Sequence, residues 1–286
     1  MIALNERFEM LDIIKAFLYG IVEGITEWLP VSSTGHMILL EEFVKMDVSQ
    51  DFWNMFLVVI QLGAILAVVL LYWNQIFPWD FSKKARQEKR VNKKDVWMLW
   101  AKILVACIPA AIVGVLFDDW LDEHLYNGYV VATMLIIFGI LFIIIENKNK
   151  GKEAVIKTIE EIDFKTALII GVFQLIAAIF PGTSRSGATI VGSLMIGVSR
   201  TAAANFTFLL AIPVMFGASL LKLVKFGLAF SGSEVAILAT GMIVAFVISV
   251  IVIKFLMSYI RKHDFKVFGW YRIILGVVVL AYFFLK

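Results

Sequence analysis

Two short stretches concentrate chemistry-bearing side chains in an otherwise apolar chain. Residues 23–36 read EGITEWLPVSSTGH and residues 181–190 read PGTSRSGATI. The first supplies Glu23, Glu27, Ser32, Ser33, Thr34 and His36. The second supplies Thr183, Ser184, Arg185, Ser186 and Thr189, with Gly182 and Gly187 between them. This set suits phosphate chemistry. Carboxylates hold a divalent cation that bridges phosphate oxygens. A serine attacks phosphorus once a base takes its proton, and a histidine can be that base or protonate the leaving oxygen. An arginine offers a charged fork that fits phosphate oxygens. Glu23 and Glu27 are four residues apart and share one helix face. We therefore expect them to hold a cation, Mg2+ or Ca2+, or one of them to hold it while Glu27 orients the base. Ser33 is the first choice of nucleophile, with His36 as its acid/base partner. Attack by His36 itself, or by a cation-bound water, stays open at this point.

Each polar stretch ends where a helix should begin. Helix N-termini carry free N–H groups and partial positive charge, which favour phosphate, and glycine lets the backbone approach closely. Arg185 and the amides of 182–187 are expected to clamp a terminal phosphate, helped by Ser32, Thr34, Thr183, Ser184, Ser186 and Thr189. An ionised group at mid-membrane costs about 2.5 to 3.5 kcal/mol. A buried Glu27–Arg185 ion pair would account for two charges but not for Glu23, His36 and the hydroxyls. His124 and His263 are expected in solvated loops, and Ser193, Ser219 and Ser249 as ordinary backbone-bonding hydroxyls.

The surroundings are those of a membrane protein. Of 286 residues, 61% are hydrophobic and 17% charged, and mean hydropathy is +0.89, outside the range of a soluble domain of this length. A single cysteine, Cys107, excludes a disulfide or thiolate-metal framework. The amino end, MIALNERFEMLDIIK, has no signal-peptide pattern. Six stretches are long enough to span a bilayer: 52–73, 96–117, 128–145, 202–223, 235–257 and 267–285. Trp53, Tyr72, Trp73, Trp97, Trp100, Trp120, Tyr129, Tyr259 and Trp270 fall near their ends, as interfacial aromatics should. Lys102, Lys222 and Lys254 can snorkel. Seven Lys/Arg in residues 80–95 mark a cytoplasmic loop rather than a nucleic-acid surface. The acidic DDWLDE at 118–123 should face outside.

Residues 8–44 and 166–198 do not qualify as spans. Each reads as an apolar arm, a polar hinge and a second arm of about ten residues, too short to cross. We expect two re-entrant helical hairpins. Shifted by 151 residues, the first lies on the second without a gap: Gly20 meets Gly171, Glu23 meets Gln174, and Pro30 meets Pro181. Three spans separate them, so the copies should enter from opposite faces, giving an inverted-topology repeat. The expected architecture is all-α and integral to the membrane, one domain over 1–286 with repeat halves of about 8–145 and 166–285. Both termini should lie outside.

The two polar blocks resemble the signature blocks of the bacterial undecaprenyl-diphosphate phosphatase family of the bacitracin-resistance type, and the resemblance covers nearly the whole chain. It implies a plasma-membrane enzyme that hydrolyses undecaprenyl diphosphate to undecaprenyl phosphate and inorganic phosphate, recycling the carrier for cell-wall synthesis. It implies dependence on a divalent cation and an active site toward the outer leaflet. By position, Glu23, Glu27, Ser33, His36 and Arg185 match the family's catalytic residues, and Ser32, Thr34, Ser184 and Thr189 its supporting polar positions. The expected partners are a polyprenyl diphosphate and membrane lipids, not nucleic acid, with a homodimer left open. Because inverted repeats with broken helices are mostly a transporter device, the alternative is a polyprenyl-phosphate transporter or flippase.

Overall fold

The computed structural model describes residues 2–80, 93–227 and 229–286. The described chain is helical: α1 (Ile2–Thr26), α2 (Ser33–Phe43), α3 (Gln50–Val59), α4 (Gln61–Leu71), the single turn α5 (Trp73–Ile76), α6 (Lys94–Leu125), α7 (Gly128–Asn149), α8 (Phe164–Ile179), α9 (Arg185–Met195), α10 (Arg200–Phe226), α11 (Gly232–Ile260) and α12 (Lys266–Leu285). Six lengths are apolar enough to cross a membrane: Gln50–Leu71, Lys94–Phe117, Gly128–Asn149, Arg200–Phe226, Gly232–Ile260 and Lys266–Leu285. They match the six expected spans. Most helices begin at a short polar residue whose side chain accepts from the N–H three residues on, as at Ser49, Asn127, Asp163, Ser199 and Ser231.

The two hinged segments fold as helix–turn–helix pairs, α1–α2 and α8–α9. Their second arms have 11 residues each, about 16 Å of helix against a hydrocarbon thickness of about 30 Å. Each pair starts and finishes at the same end of the bundle. Asp12 on α1 accepts from the Asp47 N–H just beyond α2, and Tyr19 donates to the Val44 carbonyl. At the other end, the stretch before α8 bonds the stretch after α9: the Val155 and Ile156 N–H groups donate to Gly197 O, and the Ser199 N–H donates to Ile156 O. That end also gathers the 150–163 and 261–265 connections. Arg200 Nε donates to the buried Glu146 at 2.9 Å, the Phe265 N–H donates to the same carboxylate at 3.0 Å, and Lys102 reaches Glu160 O.

The helix pairings of the two halves correspond. α1 packs along α11 and α8 along α6, while α7 pairs with α12, and α3 and α4 with α10. Glycine makes the closest crossings. A Cβ on Gly20 would lie 2.7 Å from the Gly241 carbonyl, and one on its counterpart Gly171 would strike Ala106. Gly139 and Gly269 face each other where α7 crosses α12, and a Cβ added to them would lie 2.7 and 2.8 Å, respectively, from the other's carbonyl oxygen.

Several expectations need correction. Residues 118–123 extend α6 instead of forming a loop, so His124 lies in its last turn, exposed and stacked on Trp120. Trp53 and Tyr72 are core residues, not interfacial ones: Trp53 packs on Tyr19, and the Tyr72 hydroxyl donates to Asn205. Ser193 and Ser219 bond backbone carbonyls as expected, whereas Ser249 has no hydrogen-bond partner. The basic stretch 80–95 lies, over 81–92, outside the described residues.

The α7–α12 crossing yields a controlled test. Gly139→Ala should destabilise the protein by about 1 to 3 kcal/mol, since the new methyl must displace backbone. Gly114→Ala, where an added Cβ meets nothing within 4 Å, should leave the thermal midpoint in detergent unchanged or slightly higher.

Candidate active site

The two hinges meet inside the bundle. Each turns on a serine held at positive φ, Ser32 at 74° and Ser184 at 68°. Each serine caps the following helix, accepting from the Gly35 N–H at 3.3 Å and the Gly187 N–H at 3.1 Å. Left-handed backbone at a non-glycine residue is strained, so the two turns share an uncommon conformation. That match corrects the gapless comparison. Gly20 pairs with Gly171 at a shift of 151, but Ser32 pairs with Ser184 at 152. The second hinge has one extra residue between its proline and its cap. Ser33 therefore corresponds to Arg185, and His36 to Ala188.

Glu27 joins the hinges. Its Oε2 accepts from Ser33 Oγ at 2.8 Å, and its Oε1 accepts from Arg185 Nη2 at 2.8 Å. Its backbone carbonyl accepts from Ser186 Oγ at 3.0 Å. Arg185 spans further: Nη1 donates to the Thr207 carbonyl at 2.8 Å, and the guanidinium lies 5.9 Å from the Trp28 ring centre. Thr189 bonds Arg185 O and the Thr207 hydroxyl, fixing α9 to α10. Ser184 and Ser186 hydroxyls are 3.2 Å apart. Nucleophile candidate, carboxylate and arginine thus form one connected chain, with the carboxylate in the middle.

Other expected residues stand differently. Glu23 is 1% exposed and its Oε1 has no hydrogen-bond partner among the described residues; Thr183 Oγ1 and Arg185 Nε are likewise buried without partners among them. Thr34 is half-buried and forms no side-chain bond among the described residues. Gly182 takes φ of 87°, and a Cβ there would lie 2.5 Å from the Val131 carbonyl, so only glycine fits. Gly187 sits against Arg272, 3.0 Å from where its Cβ would be. His36 is not bonded to Ser33. Its Nδ1 lies 2.7 Å from Ser32 O and its Nε2 lies 2.7 Å from the Tyr271 hydroxyl. The base nearest Ser33 is Glu27, not His36.

A cation was expected on Glu23 and Glu27. Both Glu27 oxygens are engaged by protein donors, whereas Glu23 offers a buried acceptor with none. Among the described residues no three His, Cys, Asp or Glu side chains cluster to cage a metal. The described residues thus offer a cation one unbonded carboxylate oxygen, on Glu23, and the remaining positions would have to come from phosphate and water oxygens, as they commonly do for Mg2+.

The residue that sequence reasoning missed is Arg272, in the middle of α12 and fully buried. Among the described residues it has no carboxylate partner. Its Nη1 donates to Pro30 O at 3.2 Å, and its Nη2 to Gly182 O at 3.0 Å and Thr183 O at 2.7 Å. One guanidinium thus holds carbonyls of both hinges. An arginine inside a 20-residue apolar helix was the available signal.

A family model described as "Bacitracin resistance protein BacA" matches residues 16–278. An undecaprenyl-diphosphatase of Desulfitobacterium hafniense is 63% identical over 274 residues, covering 96% of this chain and 97% of that protein. One of Enterococcus faecalis is 60% identical over 272 residues, covering 95% and 97%. One of Acetivibrio thermocellus is 62% identical over 275 residues, covering 96% and 98%.

Arg272 gives a stability prediction. Arg272→Met strands carbonyls of two hinges and should cost about 3 kcal/mol or more. Arg272→Lys should recover only part of this, because one ammonium cannot reproduce the fork. Thermal unfolding of the purified proteins in detergent measures both.

Proposed function

The chain belongs to the bacitracin resistance protein BacA family, and from that premise we propose that it is an undecaprenyl-diphosphatase of the bacterial plasma membrane. It hydrolyses undecaprenyl diphosphate to undecaprenyl phosphate and inorganic phosphate, returns the carrier to cell-wall synthesis and protects against bacitracin. The observation that carries the mechanism is Glu27 bridging Ser33 and Arg185 across the two hinges.

Ser33 is the nucleophile and Glu27 its base. Ser33 Oγ bonds to the terminal phosphorus, its proton passes to Glu27 Oε2, and the anhydride P–O bond breaks to release the lipid monophosphate. Phosphoryl transfer is loose, with little bonding to the nucleophile at the transition state. A carboxylate paired with arginine is therefore basic enough, because the proton leaves late. Arg185 holds the Glu27 carboxylate in place through a 2.8 Å ion pair, and its Nε, without a partner among the described residues, joins Thr183 Oγ1 as a donor for phosphate oxygens. In the second half, water attacks the phosphoserine, the Ser33–phosphorus bond breaks, and Ser33 recovers its proton from Glu27. The proton lost by the water goes to His36. Glu23 would hold a divalent cation, which would supply positive charge to offset that of the diphosphate.

The hinges bend inside the bilayer as re-entrant hairpins of an inverted repeat, the first from the outer face and the second from the cytoplasm. The two bundle ends support this. The 150–163 and 261–265 connections share one end, the basic and cytoplasmic one, while Asp12 and Lys286 lie toward the other, where Lys286 pairs with Glu42 at the end of α2. Both termini are then outside, and the site serves the outer leaflet. A substrate with a long polyprenyl tail reaches it from within the membrane plane.

Purified protein in detergent should release phosphate from undecaprenyl diphosphate without a sealed membrane, which a transporter would not do. Ser33→Ala and Glu27→Gln should each lower kcat by about 100-fold or more. Acid quenching should trap phosphoserine in the wild type but not in Ser33→Ala. Glu23→Gln should raise the Mg2+ concentration needed for half-maximal rate. Near-normal turnover by Ser33→Ala would remove serine from the mechanism.

A further inference from the structure

His36 has a defined tautomer. A backbone carbonyl only accepts, so the 2.7 Å contact to Ser32 O requires the proton on Nδ1. Nε2 then carries the single in-plane lone pair of the neutral ring. The Tyr271 hydroxyl lies 2.7 Å away, with the two rings within 7° of parallel, so it donates to that lone pair. A proton bound for Nε2 therefore arrives through the Tyr271 oxygen. Tyr271 is held in position from beneath: the next residue, Arg272, is fully buried and bonded to both hinges. Tyr271 itself is 46% exposed, and its hydroxyl is bonded to His36 alone among the described residues.

We propose that Tyr271 is a catalytic residue of the hydrolytic half-reaction, relaying the proton of the attacking water to His36. This rests on the phosphatase reading above. As the water oxygen bonds to phosphorus, its proton passes to the Tyr271 oxygen, and the Tyr271 hydroxyl proton passes to His36 Nε2. The phosphoserine P–O bond breaks, and inorganic phosphate leaves. The imidazolium returns its proton to solvent by the same hydroxyl. A hydroxyl suits this role because it donates to neutral imidazole and accepts from imidazolium without moving. Ser33 attack does not use the relay, since Glu27 serves that step. The two halves of the reaction thus have separate bases.

The test uses the full chain in detergent with undecaprenyl diphosphate, after wild-type phosphate release has established the underlying activity. Tyr271→Phe should lower kcat about tenfold while the first equivalent of lipid monophosphate still appears in a burst and phosphoserine accumulates at Ser33. In a His36→Ala chain, adding Tyr271→Phe should change kcat by less than about twofold, because both act in one step. A Tyr271→Phe kcat within about twofold of wild type, slow turnover without trapped phosphoserine, or multiplicative losses in the double variant would each overturn the relay. Independently of any Tyr271 variant, ring 15N resonances of His36, in a chain carrying His124→Asn and His263→Asn, should report Nδ1–H. An Nε2–H tautomer would sink the proposal while leaving the phosphatase reading intact.

Discussion

A helix broken inside a packed bundle exposes amide and carbonyl groups that the protein itself must satisfy. Both hinges answer this in the same way. A serine bent into the left-handed region caps the outgoing helix, and Arg272 collects carbonyls that the incoming helices leave over. The carbonyl dipoles around Arg272 replace the counter-ion that a buried arginine usually needs. The hinge region consequently carries two guanidinium groups, those of Arg185 and Arg272, beside Glu23 and Glu27. Without this satisfaction of the backbone, neither hinge could hold its side chains to the tolerance that Ser33, Glu27 and Arg185 require.

The two hinges share a backbone design but divide the chemistry. At matching positions one carries Ser33 and the other Arg185, one His36 and the other Ala188, and one Glu23 and the other Gln174. The first hinge contributes two carboxylates and an imidazole; the second contributes a guanidinium and hydroxyls. Neither copy is a site by itself. The Glu27–Arg185 contact makes them one, and it forms because α1 and α8, packed on helices of the opposite half, deliver their ends to the same depth.

Much of this could be read in the residues, and what could not has identifiable causes. The spans follow from hydropathy alone, and the hinges from polar groups where lipid would exclude them. The residue types favour a phosphate clamp on Arg185 over a Glu27–Arg185 ion pair, yet the two side chains pair directly, because charge complementarity acts between the hinges before any ligand is present. Trp53 and Tyr72 were misjudged because an aromatic near a helix end looks the same whether it faces lipid or a neighbouring helix; the partners Tyr19 and Asn205 are remote in sequence. The extra residue in the second hinge is invisible to a gapless comparison, and it hid the correspondence of Ser33 with Arg185. The pairing of His36 with Ser33, three apart, was a guess from proximity along the chain. The true partner, Tyr271, is 235 residues away and on a helix with no other polar warning than Arg272 beside it.

The reach of Arg272 also bears on how the protein is made. α12 follows both hinges along the chain, so a ribosome threading the polypeptide into the bilayer delivers the two bends first and their common anchor last. Until that helix arrives, the bends must tolerate unanswered carbonyls, and an insertion intermediate should be loose at its centre while its outer spans are already seated. Completion of the pocket thus waits on α12, whose Arg272 closes over carbonyls of both bends.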